Sequence, residues 1–300
     1  MSAESVAVEG RRVRANGIEL ALDAFGDGSD PPLVLLMGLG LPRLGWDEEL
    51  CRVLAARGFH VIRFDNRDVG GSTHLHDAPR PDLAAALRGD TSSAAYRLED
   101  MADDTAGLLD VLGIESAHLV GASMGGMIAQ TLAIRRPERV RSLTSIMSTV
   151  APWVGPPRRD VVSVLFAPPA RTREEHEEAA VATWRLIGSP GFEFDEARVR
   201  EHARRTWDGG HDPRGVARQL MAIQASGDRT ADLARVAVPT LVVHGEHDAL
   251  VNVSGGRATA AAIPGAELLV VDGMGHDLPR AVWPELVDRI AALADRADGR

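Results

Sequence analysis

The sequence predicts an α/β fold: a mostly parallel central sheet with helices on both faces, an N-terminal antiparallel hairpin and a helical cap insertion. Three observations carry this. Short apolar runs that end in glycines alternate with helix-spaced stretches from Leu33 onwards. The run Ser116-Ala-His-Leu-Val-Gly-Ala-Ser-Met-Gly-Gly126 passes from strand through a glycine-flanked serine into a helix. Between about Ala151 and Ala231 the alternation stops, and prolines punctuate helix-like stretches. The expected organisation is therefore a core of residues 1–150 and 232–300 with a cap insertion at 151–231.

Composition narrows the class. At 300 residues and 45% hydrophobic, the chain buries a large core. The 43 acidic against 33 basic residues, a net charge of -10, argue against nucleic acid or an anionic membrane surface as partner and favour small or neutral ligands. No basic segment leads into an apolar stretch at the start of the sequence, and the run Leu33 to Leu41 is too short to span a bilayer. The single cysteine, Cys51, reads as a small buried hydrophobe in a helix, which with the missing leader points to the cytoplasm.

Residues 11–25 hold two strand runs separated by Asn16-Gly17, a pair that tolerates the positive φ of a tight hairpin. Leu33 to Met37 follows as a strand buried on both faces, leaving through Gly38-Leu39-Gly40. A helix from Asp47 to Arg57 and a strand from Phe59 to Asp65 come next. In Asp65-Asn-Arg-Asp-Val-Gly-Gly-Ser-Thr73, Arg67 and Asp68 are expected to brace the loop by hydrogen bonds rather than to contact substrate. His74 and His76 alone, with no further ligand at metal spacing, do not predict a metal. Residues 77–96 read as an irregular excursion. Leu98 to Leu112 is an amphipathic helix with acids in its first turns, and Val140 to Met147 a strand. The insertion contains helices over Arg173 to Ile187, Asp195 to Trp207 and Pro213 to Gln224; its Trp153, Trp184 and Trp207 are expected to pack within it. A strand to His244, a short helix near Gly256 to Ile263, a strand to Val271, a helix from Arg280 to Ala294 and a frayed tail complete the chain.

The chemistry-bearing residues lie at strand ends. A serine hydroxyl needs a base within hydrogen-bond reach and a carboxylate to hold that base in its working tautomer. Ser123 sits at the elbow, its neighbours Gly121 and Gly125 relieving a turn that side chains would obstruct. His276 lies on a glycine-flanked loop after the last strand, where it reaches over the sheet edge, and Asp248 follows the strand that ends at His244. Asp272 and the adjacent Asp277 are worse placed, and the set His244, His247 and Asp248 lacks further ligands for a metal. For an oxyanion, the backbone amides of Met124, at a helix N-terminus, and of Leu39, between two glycines, are the expected donors.

With these features in place the chain resembles the α/β-hydrolase superfamily from about residue 11 to 295. The segments MGLG, DNRDVGGST, GASMGG, GEHD and GMGH look like the bacterial branch of aclacinomycin-methylesterase-like carboxylesterases. That branch carries Met-Gly, as at Met37-Gly38, where many relatives have His-Gly. The resemblance implies Ser123, Asp248 and His276 as catalytic triad and the Leu39 and Met124 amides as oxyanion hole. Leu39 departs from the usual glycine, which leaves an amide donor but alters access. The expectation is a hydrolase without cofactor or metal, acting on an ester or lactone of a small apolar metabolite through an acyl-enzyme. Other triad chemistries, carbon-carbon hydrolysis or perhydrolysis, and a receptor role share the same framework. Oligomeric state and natural substrate have no signature in the sequence.

Overall fold

The computed structural model describes residues 8–165 and 168–300. Eight strands form one sheet in the order β1-β2-β4-β3-β5-β6-β7-β8. β1 (Val8–Ala15) and β2 (Ile18–Phe25) make the N-terminal hairpin, with Asn16 and Gly17 both at positive φ. β2 also runs antiparallel to β4 (His60–Phe64), and every later pairing is parallel: β4 with β3 (Pro32–Leu36), β3 with β5 (Ala117–Ala122), then β6 (Val140–Ile146), β7 (Thr240–Gly245) and β8 (Glu267–Val271). β2 lies inside the sheet, so its last six residues are all buried and its pattern is not the alternation of an edge strand.

The period of two in the buried strands splits the core into two layers. Val34, Leu36, Leu119 and Leu143 face α3 (Leu98–Leu112) and α4 (Met124–Arg135) through Leu98, Met101, Leu108, Ile128 and Leu132. Leu33, Leu35, Val120, Leu241 and Val243 face α1 (Glu48–Ala56) and α11 (Trp283–Ala297) through Leu50, Leu54, Leu286, Ile290 and Leu293. Cys51 is fully buried in the second layer, and burial pushes its thiol up to about 12. Adjacent residues of one strand thus serve opposite layers, which is why these strands read as unbroken apolar runs.

Helices α5 (Arg159–Leu165), α6 (Arg173–Ile187), α7 (Glu196–Asp208), α8 (Pro213–Ser226) and α9 (Thr230–Leu233) lie between β6 and β7, and α10 (Ser254–Ala262) between β7 and β8. α6 and α7 bury little and meet through charged pairs such as Arg200–Glu178 at 2.8 Å. Such exposed pairs contribute little each. Trp184 packs with Ile187 and Trp207 stacks on His211, but Trp153, expected in a core, is 62% exposed. Two other expectations change. The excursion at 77–96 contains a one-turn helix, α2 (Leu83–Ala86), capped by Asp82. The tail is tied down: α11 continues to Ala297, and Asp298 lies 3.6 Å from Arg141 and 3.5 Å from the buried His118.

The loop after β4 carries the buried charges. Arg67 donates to both carboxylate oxygens of Asp104 at 2.6 and 2.7 Å, and Asp68 accepts from Arg218 at 2.8 and 2.7 Å and from the Tyr96 hydroxyl at 2.7 Å. Both residues brace the loop, as expected, and Arg218 extends that bracing to α8. Removing one partner strands a buried charge, so Asp104→Ala is expected to cost about 3–5 kcal/mol in urea unfolding. Arg67→Met combined with Asp104→Leu is expected to lose clearly less.

Candidate active site

Backbone geometry places Ser123. It sits at φ 55 and ψ −120 between β5 and α4, a conformation that side-chain-bearing residues seldom adopt. A Cβ on Gly121 would be driven into the Gly125 carbonyl, and a Cβ on Gly125 into the Leu36 carbonyl of β3. The two glycines therefore let α4 begin directly against the sheet, which turns the serine side chain out at the carboxyl edge.

His276 arrives from the loop after β8. Its Nε2 is 3.1 Å from Ser123 Oγ and its Nδ1 is 2.7 Å from Asp248 Oδ2. Asp248, 3% exposed, turns its other oxygen to the amides of Leu250 and Val251, which donate at 2.9 and 2.8 Å. These bonds fix the carboxylate with its second oxygen facing the imidazole. Gly245 at the end of β7 makes the approach possible: a Cβ there would collide with the Met274 and Gly275 carbonyls of the histidine loop. His244 lies beside the acid, 3.5 Å from Asp248 Oδ2, with Nε2 2.8 Å from the Val251 carbonyl; burial depresses its pKa and keeps it neutral. His247 turns outward to Asp272, so His244, His247 and Asp248 do not converge.

Opposite the imidazole, a Cβ at Gly38 would come 3.1 Å from Ser123 Cβ, so the Gly38-Leu39-Gly40 loop runs immediately beside the serine. Among the described residues neither the Leu39 nor the Met124 amide has a protein acceptor. The arrangement puts a hydroxyl, an imidazole and a carboxylate in one hydrogen-bonded line. Such a line can move a proton from Oγ to Nε2 while the carboxylate stabilises the imidazolium.

The supporting residues were not legible in sequence. Asn66 Nδ2 donates to the Met37 carbonyl at 3.0 Å. Gln219 of α8, fully buried, accepts from Gly40 N at 2.8 Å and donates to the Arg67 carbonyl at 2.7 Å. On the other side, His276 N donates to the Ile187 carbonyl at 2.7 Å, Gly191 N to the Gly273 carbonyl at 2.9 Å, and Gly275 N to Ser189 Oγ at 2.8 Å. Ser189 Oγ in turn donates to Asp277, whose carboxyl burial pushes up. Asp277 thus serves the loop and not the imidazole. These partners lie tens of residues away and share no motif; the Asn66 contact falls within the DNRD segment, the one partial signal.

Comparison with known proteins identifies the fold family. The profile of the α/β hydrolase fold matches residues 31–279. The rhodomycin D methylesterase DauP of Streptomyces sp. (strain C5) is 32% identical, over 94% of this chain and 97% of its own. DnrP of Streptomyces peucetius, also a rhodomycin D methylesterase, is 31% identical with the same coverage. Among solved structures, the enol-lactonase of Burkholderia xenovorans LB400 superposes with a TM-score of 0.71 at 25% identity, over 97% of this chain and 100% of its own. With an eight-stranded sheet in this order and a profile match over most of its length, the chain belongs to the α/β hydrolase fold family.

Proposed function

We propose that this protein is a cofactor-free serine hydrolase that cleaves a carboxylic ester or lactone of a small apolar metabolite. The single observation that carries the reading is the line Ser123–His276–Asp248, at 3.1 and 2.7 Å. Ser123 Oγ attacks the carbonyl carbon as His276 takes its proton, and the Leu39 and Met124 amides hold the oxyanion. Collapse of the tetrahedral species expels the alcohol, which receives the proton from His276. Water, deprotonated by the same imidazole, then hydrolyses the acyl-enzyme and frees Ser123. The chain acts on ester bonds, as its methylesterase relatives do, and the likeness to an enol-lactonase supports the lactone arm.

In this reading residues 151–231 are a cap over the carboxyl edge of the sheet, where substrates enter open α/β folds. Its α8 also serves the chemistry, because Gln219 holds the loop that presents the Leu39 amide. A lone, deeply buried thiol suits a reducing compartment, and the cytoplasm is the proposed location.

A fluorophosphonate tests the assignment without knowledge of the substrate. Intact mass is expected to show one adduct on the wild type, none on Ser123→Ala and strongly slowed labelling of His276→Ala; a folded wild type that takes no adduct overturns the reading in favour of a binding role. On an ester that is turned over, Asp248→Asn is expected to lower kcat by roughly 10⁴, since the wrong imidazole tautomer then faces the serine. Gln219→Leu leaves Ser123 and His276 in place but frees the oxyanion loop. It is expected to lower kcat about 10- to 100-fold with little change in KM, a share of the loss that follows removal of an oxyanion donor.

A further inference from the structure

The loop after β4 meets the start of α8 at a cluster that the ester chemistry does not use. The two histidines of His74-Leu75-His76 point their Nδ1 atoms at one oxygen, Asp212 Oδ2, at 3.1 and 3.8 Å, although Asp212 lies far along the chain. The three atoms lie within 4.8 Å of one another. We propose that His74, His76 and Asp212 bind one divalent transition ion, zinc or a metal of like preference, which clasps the loop after β4 to α8.

The donor pattern argues for a cation. His74 Nε2 lies 3.1 Å from the Gly70 carbonyl, which only accepts, so the ring proton sits on Nε2. That leaves Nδ1 as the ring atom that faces the Asp212 carboxylate. A metal would take Nδ1 and the carboxylate oxygen together, and the Nε2–H bond to a backbone carbonyl is the outer contact that ligating histidines usually make. Bonds of about 2.0–2.2 Å in a tetrahedral site require ligand atoms about 3.4 Å apart, so small movements of the exposed His76 suffice. Two imidazoles and a carboxylate suit zinc and its late first-row neighbours more than magnesium or calcium.

The local charge permits it. Arg218 lies 3.3 Å from Asp212 Oδ2, but both carboxylate oxygens of Asp68 engage its guanidinium at 2.8 and 2.7 Å. Two carboxylates against one guanidinium leave a net negative charge for the ion. Asp212 Oδ1 accepts from the Arg214 amide at 3.0 Å, which caps α8 and fixes the carboxylate. The ion would stiffen the helix whose Arg218 and Gln219 hold Asp68 and the Gly40 amide. Binding is independent of the ester reading.

The experiment is a calorimetric titration of zinc chloride into chelator-dialysed protein, with His76→Ala and Asp212→Asn as site variants. Asparagine keeps an oxygen for the cap, and thermal melts check that both variants fold. His247→Ala and His176→Ala are controls, the second because the His176 and His211 rings lie 4.4 Å apart and form another imidazole pair. The expected result is one zinc per chain, with affinity reduced at least tenfold in both site variants and unchanged in both controls. Zinc in excess is expected to raise the wild-type melting temperature by a few degrees and that of the site variants by clearly less. Cobalt is expected to give visible ligand-field bands that both site variants lose. Absence of zinc binding, or binding undiminished in His76→Ala and Asp212→Asn, overturns the proposal.

Discussion

The site depends on one close approach of backbone to backbone. α4 starts so near β3 that any side chain at 125 would occupy the Leu36 carbonyl, and any side chain at 121 would occupy the first turn of the helix. Only glycine satisfies both positions, and the serine between them is held at positive φ by packing on every side. The Ser123 amide donates to the Ile146 carbonyl at 2.9 Å, and Ser148 Oγ to the Ser123 carbonyl at 2.8 Å, which ties the strained turn to β6. Strain is stored there because the surrounding sheet and α4 leave no alternative.

Around that fixed serine, the histidine loop and the glycine loop are both held by the helices between β6 and β7. The histidine loop lies under the end of α6, through the Ile187 carbonyl and Ser189. A Cβ at Gly275 would displace the Gly188 carbonyl, so the two backbones touch directly. The glycine loop beside the serine is held by α8 through Gln219, and a Cβ at Gly40 would meet Val216 of the same helix at 2.9 Å. The segment between β6 and β7 is therefore part of the scaffold that holds both loops. A change in it reaches Ser123 and His276 through hydrogen bonds to the loops beside and beneath them.

Buried charge reinforces the same junction. Asp68, at φ 67, collects Arg218 and Tyr96, while Arg67 is locked on Asp104 and stacks over the Tyr96 ring at 5.0 Å. Such pairs are costly to desolvate and add little net stability, but once buried they tolerate only one geometry. Here they set the loop after β4 in the register that brings Asn66 to the Met37 carbonyl and Arg67 O to Gln219.

The sequence by itself determined the class of fold, and it located the elbow serine and the strand ends that carry Asp248 and His276. Each is a local consequence: apolar runs of strand length, a glycine–serine–glycine turn, and residues such as Asp248 and His276 whose place at a strand end implies the sheet edge. What lay in contacts between distant segments was decided only by the tertiary structure. Gln219 at the Gly40 amide, Ser189 at the histidine loop, Arg218 on Asp68 and Asp212 beside His74 have no local signature, because a polar residue on a helix reads alike whether it faces water or a loop far along the chain. The exposed Trp153 and the anchored Asp298 went against expectation for the same reason. Burial belongs to the packing partner and not to the residue, and that partner exists only once the chain has folded.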